Sequence, residues 1–379
     1  MNPKRICILT SGHPPMDDRI FWKFGKSLSV SGFDLSIVCS TQKLDFVKEG
    51  IKIIGFIGLE LTKREKIKNF LSHVESIKPD LIICEEMLPV FSALKYKKIK
   101  PDLKIILDIT EWYPENVAFK FKGIKRWLKY FQLLLPYIYI LNKVDHLIIG
   151  EKNKKHRYDL LAFNKPKTII GYYPVLKFFN YKKPDLSKDE IIFGYAGVIT
   201  NERGIIDLLR ITNIISQKHT EKKFKLLMFG RFTYNEEENN FNQALRNYDS
   251  VKVELVDWAE YDKMSSIIEK MDICFDMRKR NFIYRNSLPI KIFEYMACGK
   301  PFIFSDINPI RDEIDVEQYG LLVNPEDDNE VIKAAETYLL NPALAEKHSE
   351  NSRQLIEKEK NWENESKKLI DLINDLLVK

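Results

Sequence analysis

Short apolar runs alternate with helical patterns along this chain, and the rhythm runs through twice, which restricts the fold to two consecutive parallel α/β units. Residues 5–10 read as a strand, Ser11-Gly12-His13-Pro14-Pro15 as a turn, and a helical pattern through Phe21, Phe24 and Leu28 ends at Gly32. Strand signals recur at 35–39, 51–57, 81–84, 105–107 and 146–149. From 173 to 190 the text turns to proline, lysine and polar residues without a period, which reads as an interdomain linker. The rhythm then restarts, with strands at 191–195, 224–229, 251–256, 273–275 and 320–323, a helix at 205–217, and polar amphipathic helices at 330–340 and 343–377. At 379 residues the chain is too long for one ordinary core. The expected domains are 1–175 and 176–361, with a C-terminal helix at about 362–379 packing back on the first. Ligands in such sheets bind beyond the carboxyl ends of the strands, so a cleft between two facing Rossmann-like units is the natural active site.

The most distinctive stretch runs from Phe282 to Asp306, FIYRNSLPIKIFEYMACGKPFIFSD. Ser287 stands where a helix N-cap belongs, Pro289 fits the first turn, and Gly299 followed by Pro301 is a stop signal, predicting a helix over about 288–298. Inside it only Lys291 and Glu294 carry charge, on one face. A helix start with free N–H groups suits an anion, and a carboxylate further along suits hydroxyls attached to it, which together imply a phosphosugar or nucleotide. The plainer reading of the same residues is an exposed ion pair on a half-buried helix.

Charge and cysteine usage narrow the class further. The formal net charge of +6 is modest for this length and does not mark a nucleic-acid binder. Basic residues bunch in the first half, at Lys63–Lys68, Lys95–Lys100 and Lys120–Lys129. The five cysteines show no C-x-x-C spacing and read as small core residues in a reducing compartment. The start lacks the long apolar region of a signal peptide, and no stretch is apolar enough to span a bilayer, so the expected location is cytoplasmic. Residues 123–143, GIKRWLKYFQLLLPYIYILNK, admit two readings. One is an interfacial helix with its aromatics among headgroups and Lys125, Arg126 and Lys129 on anionic lipid at the inner leaflet, and the other is a core helix with a basic first turn.

Motifs for other chemistries are missing. No GxxxxGK[ST] loop, GxGxxG fingerprint or nucleophile elbow follows any strand, and no Asp-x-Asp or histidine spacing suits a metal. Catalysis should therefore rest on positioning and fixed charge. Four strand ends carry candidate residues: His13 to Arg19 (HPPMDDR), Asp108 to Glu111 (DITE), Gly197 to Gly204 (GVITNERG), and the stretch with Asn286, Lys291 and Glu294. Arg203 just before a helix start suits a diphosphate. Taken singly, Asp108 reads equally well as a helix cap, Arg203 as a surface arginine and His13 as a loop residue.

The stretch 282–306 resembles the signature of retaining glycosyltransferase family four, and HPPMDDRIFWKFGKSLSVSGFDLSIV, DITEWYPEN and YAGVITNERGIIDLL resemble the same group. The resemblance covers most of the chain and implies the two-domain GT-B plan. It also implies sugar transfer from a UDP- or GDP-linked donor with retention, without a metal or other cofactor. The product expected is a cell-surface polysaccharide such as capsule or O-antigen, built on a glycan or lipid-linked acceptor. By the resemblance, Glu294 matches the second glutamate of the E-x7-E motif, which holds the nucleotide ribose. Arg203 matches the basic diphosphate-binding residue, and Gly197 falls in the glycine loop. Gly230, Asn286, Ser287, Leu288 and Lys291 complete the expected donor set, with Arg203, Lys291 and Glu294 as its catalytic members. His13, Asp17, Arg19 and Glu111 form the expected acceptor side. Three positions depart from the pattern: Asn286 stands where the first glutamate is usual, Val198 follows Gly197 where Gly-Arg is common, and Thr110 replaces a frequent histidine. Lys291 is the residue placed to supply the missing positive charge. Two rival readings share the architecture, a nucleotide-sugar epimerase and a non-catalytic protein that closes on a ligand.

Overall fold

The computed structural model describes residues 3–248 and 251–378. Two compact units divide the chain: the segment up to Tyr172 together with the segment from Trp362 onward, and Tyr173–Asn361.

The first unit is built on β1 (Arg5–Thr10), β2 (Asp34–Cys39), β3 (Leu44–Lys48), β4 (Ile51–Gly55), β5 (Leu81–Cys84), β6 (Lys104–Ile109), β7 (His146–Ile149) and β8 (Lys167–Ile169). They lie in the order β3-β4-β2-β1-β5-β6-β7-β8. All pairings are parallel except β3 with β4. Continuous apolar runs such as Leu81-Ile82-Ile83-Cys84 are buried on both faces, as a helix-covered parallel sheet requires. The edge strands β3 and β8 escape the sequence pattern, β3 because its residues are largely exposed and β8 because it has three residues. The chain builds outward from β1 in one direction and from β5 in the other, so the topological switch point lies between β1 and β5.

The helix Trp362–Val378 belongs to this unit. Trp362 stacks on Phe24 at 5.7 Å, its Nε1 donates to Ser27 Oγ at 2.8 Å, and Glu365 accepts from the Gly171 N–H at 2.8 Å. The helix Gly123–Lys143 packs through Tyr137, Ile140 and Leu141. After β1 the chain winds as a π-helix over Asp18–Gly25, where Lys23 Nζ reaches Asp18 five residues back at 2.7 Å, before the α-helix Lys26–Val30.

The second unit holds β9 (Glu190–Ala196), β10 (Lys223–Phe229), β11 (Lys252–Val256), β12 (Ile273–Asp276), β13 (Phe302–Ser305) and β14 (Leu321–Val323). The sheet is wholly parallel in the order β11-β10-β9-β12-β13-β14, and its switch point lies between β9 and β12. The stretch from Tyr173, which reads as a linker, is instead fastened to this unit. Val175, Phe179 and Leu186 are buried, and the backbone N–H groups of Val175, Asn180 and Lys182 donate to Tyr261 Oη, Ser265 Oγ and the Cys298 carbonyl. Its anchors are spaced irregularly, which is why no period shows in the sequence. All five cysteines are buried and free.

Candidate active site

At the switch point of the second unit, backbones come close enough to exclude side chains. A Cβ on Gly230 would overlap the Gly197 carbonyl oxygen, so the loops after β9 and β10 touch through their glycines. The turn Asn201–Arg203 ends at Gly204, whose φ of 70° is left-handed and whose added Cβ would overlap the Met277 carbonyl oxygen. Helix Ile205–Lys218 starts from that glycine, and Arg203 projects beside it.

Arg203 and Arg278 lie against the same ring: their guanidinium carbons are 5.5 Å and 5.4 Å from the Tyr284 centroid. Asp276 balances Arg278, accepting from Nε at 2.8 Å and from Nη2, and both residues are buried. Among the described residues no carboxylate stands within ion-pair distance of Arg203. Burial opposes its charge, but Tyr195, Asp276 and Tyr284 around it raise its pKa above that of free arginine. The cluster therefore carries one uncompensated cation aimed from a glycine loop, an arrangement suited to a phosphate or diphosphate. Sequence reading missed Asp276, Arg278 and Tyr284. The Asp-Met-Arg text at the end of β12 was the available signal, and Arg278 provides a second guanidinium from a different strand end than the one where it is usual.

The predicted helix over 288–298 is corrected. The chain forms two short helices, Phe282–Asn286 and Lys291–Ala297, and Ser287 is the extended link between them. Asn281 caps the first of them, accepting from the Tyr284 N–H at 2.9 Å, while the second starts after Ile290 without a side-chain cap, so Ser287 caps neither. Pro289 disfavours a helical Leu288, which breaks the segment there. The N–H groups of Ile292 and Phe293 donate to the Pro289 and Ile290 carbonyls, both at 3.1 Å, so they are not free for an anion. Asn286 spends its amide on the Phe282 carbonyl at 2.7 Å, and Leu288 is buried.

Lys291 and Glu294 stay together, with Nζ 2.9 Å from Oε2. The pair is not the exposed one a surface helix would show, since Glu294 is 3% exposed and Lys291 lies 5.5 Å from the Trp258 ring centroid. The contact lacks hydrogen-bond geometry and leaves the buried Glu294 Oε2 without a donor. Tyr295 ties this helix to the end of β9 by accepting from the Ala196 N–H at 2.6 Å. Arg203 and Glu294 share no hydrogen bond or ion pair; they stand in separate clusters of the same unit.

The first unit has its own cavity, of about 390 Å³, at the carboxyl ends of β1, β5 and β6. His13 and Glu111 line it, together with Ser11, Gly12, Glu85, Glu86, Asp108, Tyr113 and Asn116. Glu86 fills the turn after β1, accepting from the N–H groups of Ser11 at 2.7 Å and Gly12 at 2.9 Å. That turn is therefore satisfied internally, by a carboxylate. Glu85 is buried with Oε1 unpartnered, and burial, reinforced by the Asp108 charge, holds its carboxyl well above the usual range. His13 stands 3.7 Å from Asp17 and 3.8 Å from Glu86, and Glu111 accepts from Asn116 Nδ2.

Two expected acceptor-side residues turn away from this cavity. Asp17 caps the π-helix, accepting from the Arg19 N–H at 2.9 Å, and burial with the Asp18 charge pushes its carboxyl up to about 6. Arg19 is buried between Phe24 and Tyr172, 4.5 Å and 4.0 Å from their centroids, with Nη2 donating to Asp108 at 2.8 Å. Its guanidinium is committed to an internal pair with Asp108, which is neither a helix cap nor free.

Two α/β units, each built on a largely parallel sheet with loop clusters at its strand ends, make up the GT-B fold. Residues 177–355 match the family model described as glycosyl transferases group 1, and no curated protein matches the chain. The chain thus has the GT-B fold, and the greater part of its second unit matches the glycosyl transferases group 1 model. Solved structures agree in fold across the whole length. Sucrose-phosphate synthase from Thermosynechococcus elongatus is 16% identical, covering 99% of this chain and 100% of that one, with a TM-score of 0.79. A glycosyltransferase from Rickettsia africae is 13% identical over 100% and 99%, at 0.72. Anabaena Alr3699/HepE in complex with UDP is 10% identical over 98% and 100%, also at 0.72.

Proposed function

We propose that the chain transfers a hexosyl group from a UDP- or GDP-linked sugar to a glycan or lipid-linked acceptor, with retention and without a metal, in the cytoplasmic synthesis of a cell-surface polysaccharide such as capsule or O-antigen. The observation that carries this reading is the uncompensated Arg203 beside the glycine turn and Tyr284, within the segment that matches the group 1 family. The Anabaena structure in complex with UDP-glucose supports a nucleotide-sugar donor.

In this reading the acceptor hydroxyl attacks the anomeric carbon on the face that the leaving group departs from. The C–O bond to the diphosphate breaks, and the hydroxyl proton passes to the departing phosphate oxygen. Charge grows on that phosphate, so fixed cations at Arg203 and Lys291 stabilise the transition state more than the ground state. Glu294, buried with an oxygen lacking a donor, accepts from a donor hydroxyl. The carboxylate-lined cavity of the first unit favours uncharged hydroxyls of the acceptor over its phosphates.

The test is a thermal-shift panel of UDP, GDP, ADP and their sugars, followed by product analysis. A ligand at about one hundred times its dissociation constant adds ~2.7 kcal/mol of stability. A new nucleotide sugar made from donor alone would identify an epimerase, and the absence of any nucleoside diphosphate release with acceptor present would leave only a binding protein.

A further inference from the structure

We propose that the helix Gly123–Lys143 lies on the surface of an anionic lipid bilayer. Its buried side holds Tyr137, Ile140 and Leu141, as a helix packed on the first unit should. The opposite side is apolar too: Ile124, Trp127, Leu128, Phe131, Leu135 and Tyr139 are 54% to 76% exposed. Their spacing of three or four residues sets them in one stripe, roughly 22 Å long at ~1.5 Å per residue. Soluble surfaces scatter large apolar residues singly and rarely align six of them.

The charge around the stripe selects the occupant. Residues 116–143 contain Lys120, Lys122, Lys125, Arg126, Lys129 and Lys143 and no aspartate or glutamate. At about 3.6 residues per turn, Lys125, Lys129 and Lys143 fall along one edge of the stripe, where flexible stems let ammonium groups reach headgroup phosphates. Protein interfaces are depleted in lysine at their centres and need complementary carboxylates at the rim. A bilayer supplies an apolar phase beneath and anionic charge above it, and the aromatic residues Trp127 and Tyr139 suit the boundary. Among the described residues no helix is long and apolar enough to cross a membrane, so the helix rests in the interface.

Sedimentation with vesicles tests this without reference to sugar transfer. The full chain should sediment with phosphatidylcholine–phosphatidylglycerol vesicles at low salt, release as salt rises, and ignore phosphatidylcholine alone. The variant Trp127→Ser/Leu128→Ser/Phe131→Ser should bind at least about tenfold more weakly with an unchanged melting temperature, since these side chains are exposed. Removing charge with Lys125→Gln/Lys129→Gln should cost about fivefold for each lysine. Equal sedimentation of all three proteins, or none by the parent, overturns the proposal. So does a concentration-dependent dimer in analytical ultracentrifugation that the serine variant abolishes, which would assign the stripe to a second copy.

Discussion

Lys291 Nζ stands 2.9 Å from Glu294 Oε2 across one helical turn, yet that same buried oxygen accepts no hydrogen bond. A buried acceptor with no donor is costly and persists where a ligand completes it. Glu294→Gln or Lys291→Met should therefore lower kcat/KM for transfer by at least about tenfold, ~1.4 kcal/mol of transition-state binding. Steady-state kinetics showing both variants at parental rates would remove the pair from the active site.

Tyr284 offers a cleaner test of the guanidinium cluster. Tyr284→Phe keeps the ring under Arg203 and Arg278, so donor affinity should stay within about twofold. Tyr284→Ala frees both arginines and should weaken donor binding by about fivefold or more, since each cation–π contact is worth ~1 kcal/mol. Calorimetric titration reads the difference, and an alanine variant as tight as the phenylalanine one contradicts the arrangement.

Gly204 is a backbone requirement. Gly204→Ala must hold an L-residue at φ 70° and displace the Met277 carbonyl, whereas Gly123→Ala, at φ 56°, meets no atom within 4 Å. Denaturant unfolding should show a loss of about 1 kcal/mol for the second and at least about 2 kcal/mol for the first. Equal losses would mean that the close approach carries no cost.

Acid sensitivity should come from two histidines. Burial lowers His146, and burial with the Lys347 charge lowers His348, each from 6.5 to about 4. The folded chain keeps both neutral while the unfolded chain protonates them near 6.5. Their contribution is complete above that pH and is lost as pH falls through 6.5 towards 4. Unfolding free energy measured across this window should flatten in His146→Gln/His348→Gln; an unchanged slope would assign the loss to other groups.

Glu85 should affect acceptor use alone. Its buried, unpartnered oxygen lines the first unit's cavity, so Glu85→Ala should raise the acceptor KM by several-fold and leave the donor KM in place. A change confined to the donor KM would place that cavity outside the acceptor path.

The sequence makes some of these features visible and hides others for a physical reason. Apolar runs such as Leu81–Cys84 and Phe224–Phe229 declare buried strands because covered parallel strands need no polar face. Lys291 and Glu294 are legible because they lie one turn apart. Arg19 and Asp108 are 89 residues apart, and Glu86 reaches Ser11 over 75, so neither pairing leaves a local pattern. The fate of Arg19 could not be read from its own loop. Ser287 misled because Pro289 keeps Leu288 out of the helical region, so the second helix starts only after Ile290 and Ser287 is left as an extended link.

The return of Trp362 to Phe24 has a consequence for biosynthesis. The second unit is one unbroken segment, while the first is assembled from the two segments that flank it. During vectorial synthesis, the unit whose strands emerge first is the last to be sealed. It must wait for Trp362 and Glu365 to leave the ribosome, with Phe24 uncovered until then, reversing the usual order in which the N-terminal domain finishes first.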